Sequence, residues 1–145
     1  MKITNRRAFY DFEILERFEA GINLIGAEVK AVRLNHADLT GSFVKIIGNE
    51  AYLLNAKIFP YEYARPEHYD SNRTRKLLLH KKELIALKSK TEGANLTIVP
   101  ISLYNTKHLI KLELALGKSK KKFDKKEAIK KRDIKRDIEE SLKNN

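Results

Sequence analysis

Between Tyr10 and Glu19 apolar and polar residues alternate. Tyr10, Phe12, Ile14 and Phe18 hold even positions, and Asp11, Glu13, Arg17 and Glu19 hold odd ones. A period of two predicts a half-buried strand, because successive strand side chains point to opposite faces. Gly21 is expected to interrupt it. Ile22, Ile25, Val29 and Val32 then recur at spacings of three and four, the repeat of one helix face. The runs 43–47 (FVKII) and 51–59 (AYLLNAKIF) flank Gly48-Asn49, which predicts a hairpin. Residues 60–76 are polar, contain two prolines and read as a long loop. Leu77, Leu78 and Leu79 fit a short strand before a helix over Lys81–Lys90, in which Leu84 and Leu87 share a face and which Gly93 stops. In the apolar strand 95–104 (NLTIVPISLY), Pro100 cannot donate to a ladder and marks an edge or a bulge. Ile110, Leu112, Leu114 and Leu116 face one way, Lys111 and Glu113 the other. Short strands and two helices around one core predict a mainly β fold with short helices. The expected form is an OB-fold-like closed or partly open β-barrel with flanking helices.

Charge divides the chain. From Lys118 to Asn145 there are 12 Lys/Arg and 6 Asp/Glu, so the last fifth carries about half of the net charge of +11. A boundary near Gly117 separates a body, residues 1–117, from a basic tail, residues 118–145. A charge of this sign and size points to phosphate-rich partners. In the tail Ile134, Ile138 and Leu142 recur every four residues, too narrow a stripe to bury much surface. Asp124 and Glu127 have the spacing of a helix N-terminal capping box. The tail is therefore expected to be disordered when free and helical when bound. Phe123, alone among its lysines, has no local core to enter.

The residue types exclude several chemistries. With no cysteine there are no disulfides, thiolate metal sites or cysteine nucleophiles, which agrees with a cytoplasmic location. No apolar run approaches the ~20 residues that span a bilayer, so no membrane partner is expected. His36, His68, His80 and His108 lie far apart, without metal-ligand spacing. No cofactor is implied. Glu13, Glu16 and Glu19 read as solvated strand charges, and neither a Gly-rich phosphate loop nor a nucleophile elbow is present. A binding protein is expected, not an RNA-processing enzyme. Candidate contacts are Arg73, Arg75 and Lys76 at the loop-to-strand junction, and Lys30 and Arg33 on one helix face. Asn5, Arg6 and Arg7 form a basic arm, and Tyr61, Tyr63 and Tyr69 offer stacking surfaces in the long loop.

The segments NRRAFYDFEI, FEAGINLIGAEVKAVRL, NRTRKLLLHKKEL, VPISLY and GKSKKKFDKKEAIKKRD, in order from about residue 5 to residue 137, closely resemble the SsrA-binding protein (SmpB) family. The resemblance implies an OB-type barrel that binds the tRNA-like domain of transfer-messenger RNA and escorts it to stalled ribosomes for trans-translation. It also implies a monomer in a one-to-one RNA complex. Family RNA-contact positions fall on Glu19 in FEAGI, Leu78 in RKLLL and Lys111 in LIKLE. Strand alternation independently puts Glu19 and Lys111 on polar faces, whereas Leu78 without the family reads as a core leucine. In the tail, the family pattern implies that Phe123 stacks on a 16S rRNA base near the decoding site. Asp124, Lys125, Lys126, Lys130, Lys131 and Arg132 then engage the decoding site and the empty mRNA channel. Two departures stand out. Asp124-Lys125-Lys126 replaces the usual D-K-R, keeping the charge but losing the planar guanidinium fork. The usual GKK is interrupted as Gly117-Lys118-Ser119-Lys120-Lys121-Lys122, which leaves the register of the tail entry open by a residue or two. A ribosomal or ribosome-assembly protein with a general RNA-binding barrel is the alternative on charge and fold alone.

Overall fold

The computed structural model describes residues 1–120. Phe123, Asp124, Lys125, Lys126, Lys130, Lys131 and Arg132 lie outside the described residues, as does the rest of the expected tail helix. The elements run β1 (Lys2–Thr4), α1 (Arg6–Asp11), β2 (Phe12–Ile22), α2 (Gly26–Arg33), β3 (Ala37–Asp38), β4 (Phe43–Ile47) and β5 (Glu50–Leu54). They continue with β6 (Lys57–Ile58), β7 (Arg75–Leu78), α3 (Lys81–Gly93), β8 (Thr97–Thr106) and β9 (Leu109–Ser119).

Seven strands form one antiparallel sheet in the order β1-β8-β9-β2-β7-β5-β4, and β3 pairs with β6 separately. The protein is mainly β with few short helices, as the alternation predicts. The sheet is not closed: β4 approaches β8, but no ladder joins them among the described residues. The closed form of the expected barrel is therefore not what this sheet forms.

The long β2, β8 and β9 make the centre. On their inner face Ala20, Leu103, Ile110, Leu112, Leu114 and Leu116 pack against Val32 of α2 and Leu87 of α3. A smaller cluster on the reverse face, Val99, Ile101 and Ala115, is covered by Ala8 of α1 with Phe12 and Ile14. The two clusters explain why parts of β8 and β9 are apolar at consecutive positions: each face there has its own cover. Pro100 marks a bulge, where the β8–β9 register shifts between Pro100 and Ser102. Its carbonyl accepts the Asn5 side-chain amide (2.9 Å), just beyond the end of β1.

Four local expectations change. Tyr10 belongs to α1, not to the strand; six residues are too few to show a helical period. Gly21 does not interrupt β2 but pairs inside it with Leu78 and Lys111. The run 51–59 breaks at Asn55, whose φ of 61° turns the chain between β5 and β6. The 60–76 loop ends two residues early, because Arg75 and Lys76 already pair with β5. The Gly48-Asn49 hairpin forms as expected between β4 and β5, with Gly48 at φ 63°.

Candidate nucleic-acid interface

One row of residues crosses four strand boundaries of the sheet. Leu78 lies opposite Gly21, Gly21 opposite Lys111, Lys111 opposite Tyr104, and Tyr104 opposite Lys2. Directly paired residues of an antiparallel sheet project from the same face. Leu78, Lys111, Tyr104 and Lys2 therefore share the face away from the main core. Glu19, two residues before Gly21 on β2, joins them. An open groove of about 530 Å³ lies here, lined by Glu19, Gly21, Lys76, Leu78, His80 and Lys111 among others.

Strand alternation in β7 sets its edge. Arg75 and Leu77 point inward, while Leu78 points outward and is 57% exposed. Gly21 makes room for that leucine: a Cβ at Gly21 would lie 3.2 Å from the Leu78 Cβ, tighter than packed carbons normally sit. Lys76 pairs with Glu50 at 2.9 Å. Lys111 Nζ has no hydrogen-bond or ion-pair partner among the described residues, so its charge is available to a ligand. The Tyr104 hydroxyl donates to the Glu19 carboxylate. A second cleft of about 310 Å³ adjoins the groove, lined by Ile46, Leu79, Leu84 and Ile85 with Lys81 and Lys88.

The structure brings Glu19, Leu78, Lys111 and Lys76 into one groove and places the other candidates elsewhere. Lys30 and Arg33 are exposed on α2 and do not line the groove; Arg33 Nη2 donates to the His108 carbonyl (3.2 Å). Arg75 is the clearest correction. It is fully buried and offers nothing to a partner on the surface. Its Nε and Nη2 donate to one Glu28 oxygen at 2.9 and 2.6 Å. Its Nη1 donates to the Ala56 carbonyl (2.6 Å) and Nη2 also to the Ser71 carbonyl (3.1 Å). Arg73 is half-buried and pairs with the other Glu28 oxygen. Tyr69, expected as a stacking ring, instead donates its hydroxyl to Glu28 at 2.8 Å. Tyr61 and Tyr63 remain exposed, with ring centroids 5.4 Å apart.

Glu28 is the residue that the sequence reading missed. It lies three residues after Ile25 and four before Val32, on the apolar stripe of α2, where a carboxylate needs partners. That misplaced charge was the available signal. Burial pushes its carboxyl up, but hydrogen bonds from Arg73, the Ile25 N–H, Tyr69 and Arg75 outweigh it and bring the pKa from 4.5 down to about 2. A depressed folded-state pKa contributes stability that is present above the unfolded value and lost as pH falls through the folded one. Acidification from about pH 4.5 to about 2 should therefore remove roughly 3 kcal/mol from this site. Urea midpoints measured along that range check it. In a Glu28→Gln chain, already destabilised at neutral pH, the decline over the same window should be shallower.

The open β sheet presents an exposed groove lined by charged and apolar side chains, a form suited to binding. Among the described residues no group of His, Asp and Glu side chains can hold a metal ion, and no helix is long and apolar enough to cross a membrane. The family model "SmpB protein" matches residues 2–144, and the chain belongs to the SmpB protein family. An SsrA-binding protein of Sulfurihydrogenibium sp. is 49% identical over 140 residues, covering 97% of this chain and 92% of its own. One from Thermosipho africanus is 48% identical over 143 residues, covering 98% and 96%. A chain of the solved structure "tmRNA-SmpB: a journey to the center of the bacterial ribosome" superposes with a TM-score of 0.69 at 46% identity, covering 88% of this chain and 94% of that one.

Proposed function

We propose that the chain is a non-enzymatic RNA adaptor of trans-translation. Its groove binds the tRNA-like domain of transfer-messenger RNA, and its basic tail engages the decoding site and empty mRNA channel of a stalled ribosome. The observation that carries the reading is the convergence of Glu19, Leu78 and Lys111, far apart in sequence, on one groove at the β7–β2–β9 junction. The three supply different chemistry: Lys111 a cation for phosphate, Leu78 an exposed apolar face for a base, and Glu19 an acceptor for base or sugar donors. The open sheet is the partly open form of an OB-type barrel, a scaffold whose face suits single-stranded or looped RNA. The relatives' names, SsrA-binding protein, and the tmRNA–SmpB structure support the same partner.

In this reading the groove and the root of the tail lie toward opposite ends of one ladder. Lys111 pairs with Gly21 near one end of the β2–β9 ribbon, and Ser119 pairs with Phe12 at the other. At about 3.3 Å per residue the groove and the root of the tail are on the order of 25 Å apart. That spacing supports a separation between the RNA held by the groove and the root of the tail. In this reading Phe123 stacks on a 16S rRNA base, and Asp124, Lys125, Lys126, Lys130, Lys131 and Arg132 contact the decoding site and channel. The work is done in the cytoplasm by one chain per RNA.

A reconstituted reaction tests this. Ribosomes stalled on a message without a stop codon, charged transfer-messenger RNA and the full chain should together extend the nascent peptide with the encoded tag. Phe123→Ala should cut tagging by at least about fivefold, the low end of a base-stacking contribution, while RNA affinity stays at the wild-type value. No tagging by the wild-type chain would overturn the function; full tagging by Phe123→Ala would overturn the stacking role.

A further inference from the structure

Glu19 and Glu113 stand directly opposite each other across β2 and β9. Facing carboxylates repel, and a pair chosen only for sheet stability would carry opposite charges. The two are held by different donors. Arg17 Nη1 takes Glu113 at 2.8 Å, so that charge is balanced within the chain. Glu19 receives no cation; among the described residues its partner is the Tyr104 hydroxyl. Tyr104 comes from β8 and lies opposite Lys111 in the β8–β9 ladder. Burial, together with the carboxylate it faces, pushes its phenol well above the ordinary range, so the O–H stays a donor at physiological pH. A neutral donor fixes the direction of a carboxylate without cancelling its charge.

We propose that Tyr104 is a positioning residue, holding Glu19 over the groove so that its free carboxylate oxygen accepts a hydrogen bond from a base N–H or a ribose 2′-hydroxyl of the bound RNA. The inference rests on the groove being the RNA site. Glu19 and Lys111 share one face, two residues apart along the ladder. Together they give the groove a direction: phosphate is drawn to Lys111 and repelled at Glu19, whereas a base or sugar edge with a donor is accepted there. A polyanion that lays a phosphate beside Glu19 is penalised, so the pair contributes discrimination more than affinity. A carboxylate free to rotate would lose that direction, and Tyr104 prevents the rotation.

The test uses four full-length chains: wild type, Tyr104→Phe, Glu19→Ala and the double substitution. Each is titrated with the tRNA-like domain of transfer-messenger RNA and with a control tRNA. Tyr104→Phe keeps the ring and its packing and removes one oxygen. It should weaken binding of the tRNA-like domain about 3- to 10-fold, and in the Glu19→Ala background it should have no further effect. Equal losses in both backgrounds would mean that Tyr104 acts through packing, and would overturn the proposal; so would unchanged binding by Tyr104→Phe. If the wild-type chain itself does not distinguish the two RNAs, the reading of the groove fails, and the proposal with it. That failure is visible without any substitution and is distinct from a failure of Tyr104 alone.

Discussion

Replacing Arg75 by alanine should lower the stability of the chain by about 3–5 kcal/mol, the loss expected when one partner of a buried ion pair is removed. Arg75 and Glu28 are both fully shielded from solvent. Without the guanidinium, Glu28 keeps the Ile25 N–H, Tyr69 and Arg73 but loses two donated hydrogen bonds, the Ala56 carbonyl loses its donor, and the Ser71 carbonyl is left with the Ile58 N–H. A buried carboxylate with too few donors costs more than the lost attraction alone. Urea denaturation read by circular dichroism measures the effect. The double substitution Arg75→Met, Glu28→Leu should recover much of the loss, because it removes both charges and keeps apolar volume. An Arg75→Ala chain within about 1 kcal/mol of wild type would contradict the assignment, since that is the range of an exposed pair. The network matters for the groove as well. It fixes the first residue of β7 to α2, and β7 carries Lys76 and Leu78 to the groove's edge.

Reversing Lys111 to glutamate should cost roughly 100-fold or more in affinity for the RNA, because like-charge juxtaposition at an interface costs several kcal/mol. The change removes the unpaired cation of the groove and sets a third carboxylate beside Glu19 and Glu113. The milder Lys111→Gln should lower the slope of log affinity against log salt by about 0.7–0.9 if the ammonium neutralises one phosphate. Folding should be little affected by Lys111→Gln, since the Lys111 side chain makes no ion pair or hydrogen bond among the described residues. Unchanged RNA affinity in both chains would remove Lys111 from the interface.

Much of the sheet is legible in the sequence because its signals are local. Gly48-Asn49 between two β-rich runs specifies the β4–β5 hairpin, the alternation of Ile110, Leu112 and Leu114 specifies β9, and Pro100 specifies a bulge. What is not legible depends on contacts distant in sequence. Arg73, Arg75 and Lys76 form one cationic run, yet Arg75 is a core residue because Glu28, 47 residues earlier, folds beside it. Nothing within the run separates it from its neighbours except strand alternation, and that becomes readable only once β7 is known to begin at Arg75. Gly21 looks like a break because glycine weakens strands in general; its use here, space for Leu78, appears only with the β2–β7 pairing. Leu78 itself is indistinguishable from Leu77 and Leu79 by composition, and resemblance to the family rather than pattern singled it out. The Tyr104–Glu19 contact spans 85 residues and leaves no local trace.

The most direct measurement is a titration of the full chain against the tRNA-like domain of transfer-messenger RNA and a control tRNA, each at two salt concentrations, with a Glu19→Ala, Leu78→Ala, Lys111→Ala chain alongside. The expected result is a preference for the tRNA-like domain that persists at the higher salt and disappears in the triple substitution, while weak salt-sensitive binding remains. Equal affinity of the wild-type chain for both RNAs, or a preference that survives the triple substitution, would contradict the groove as the specific RNA site.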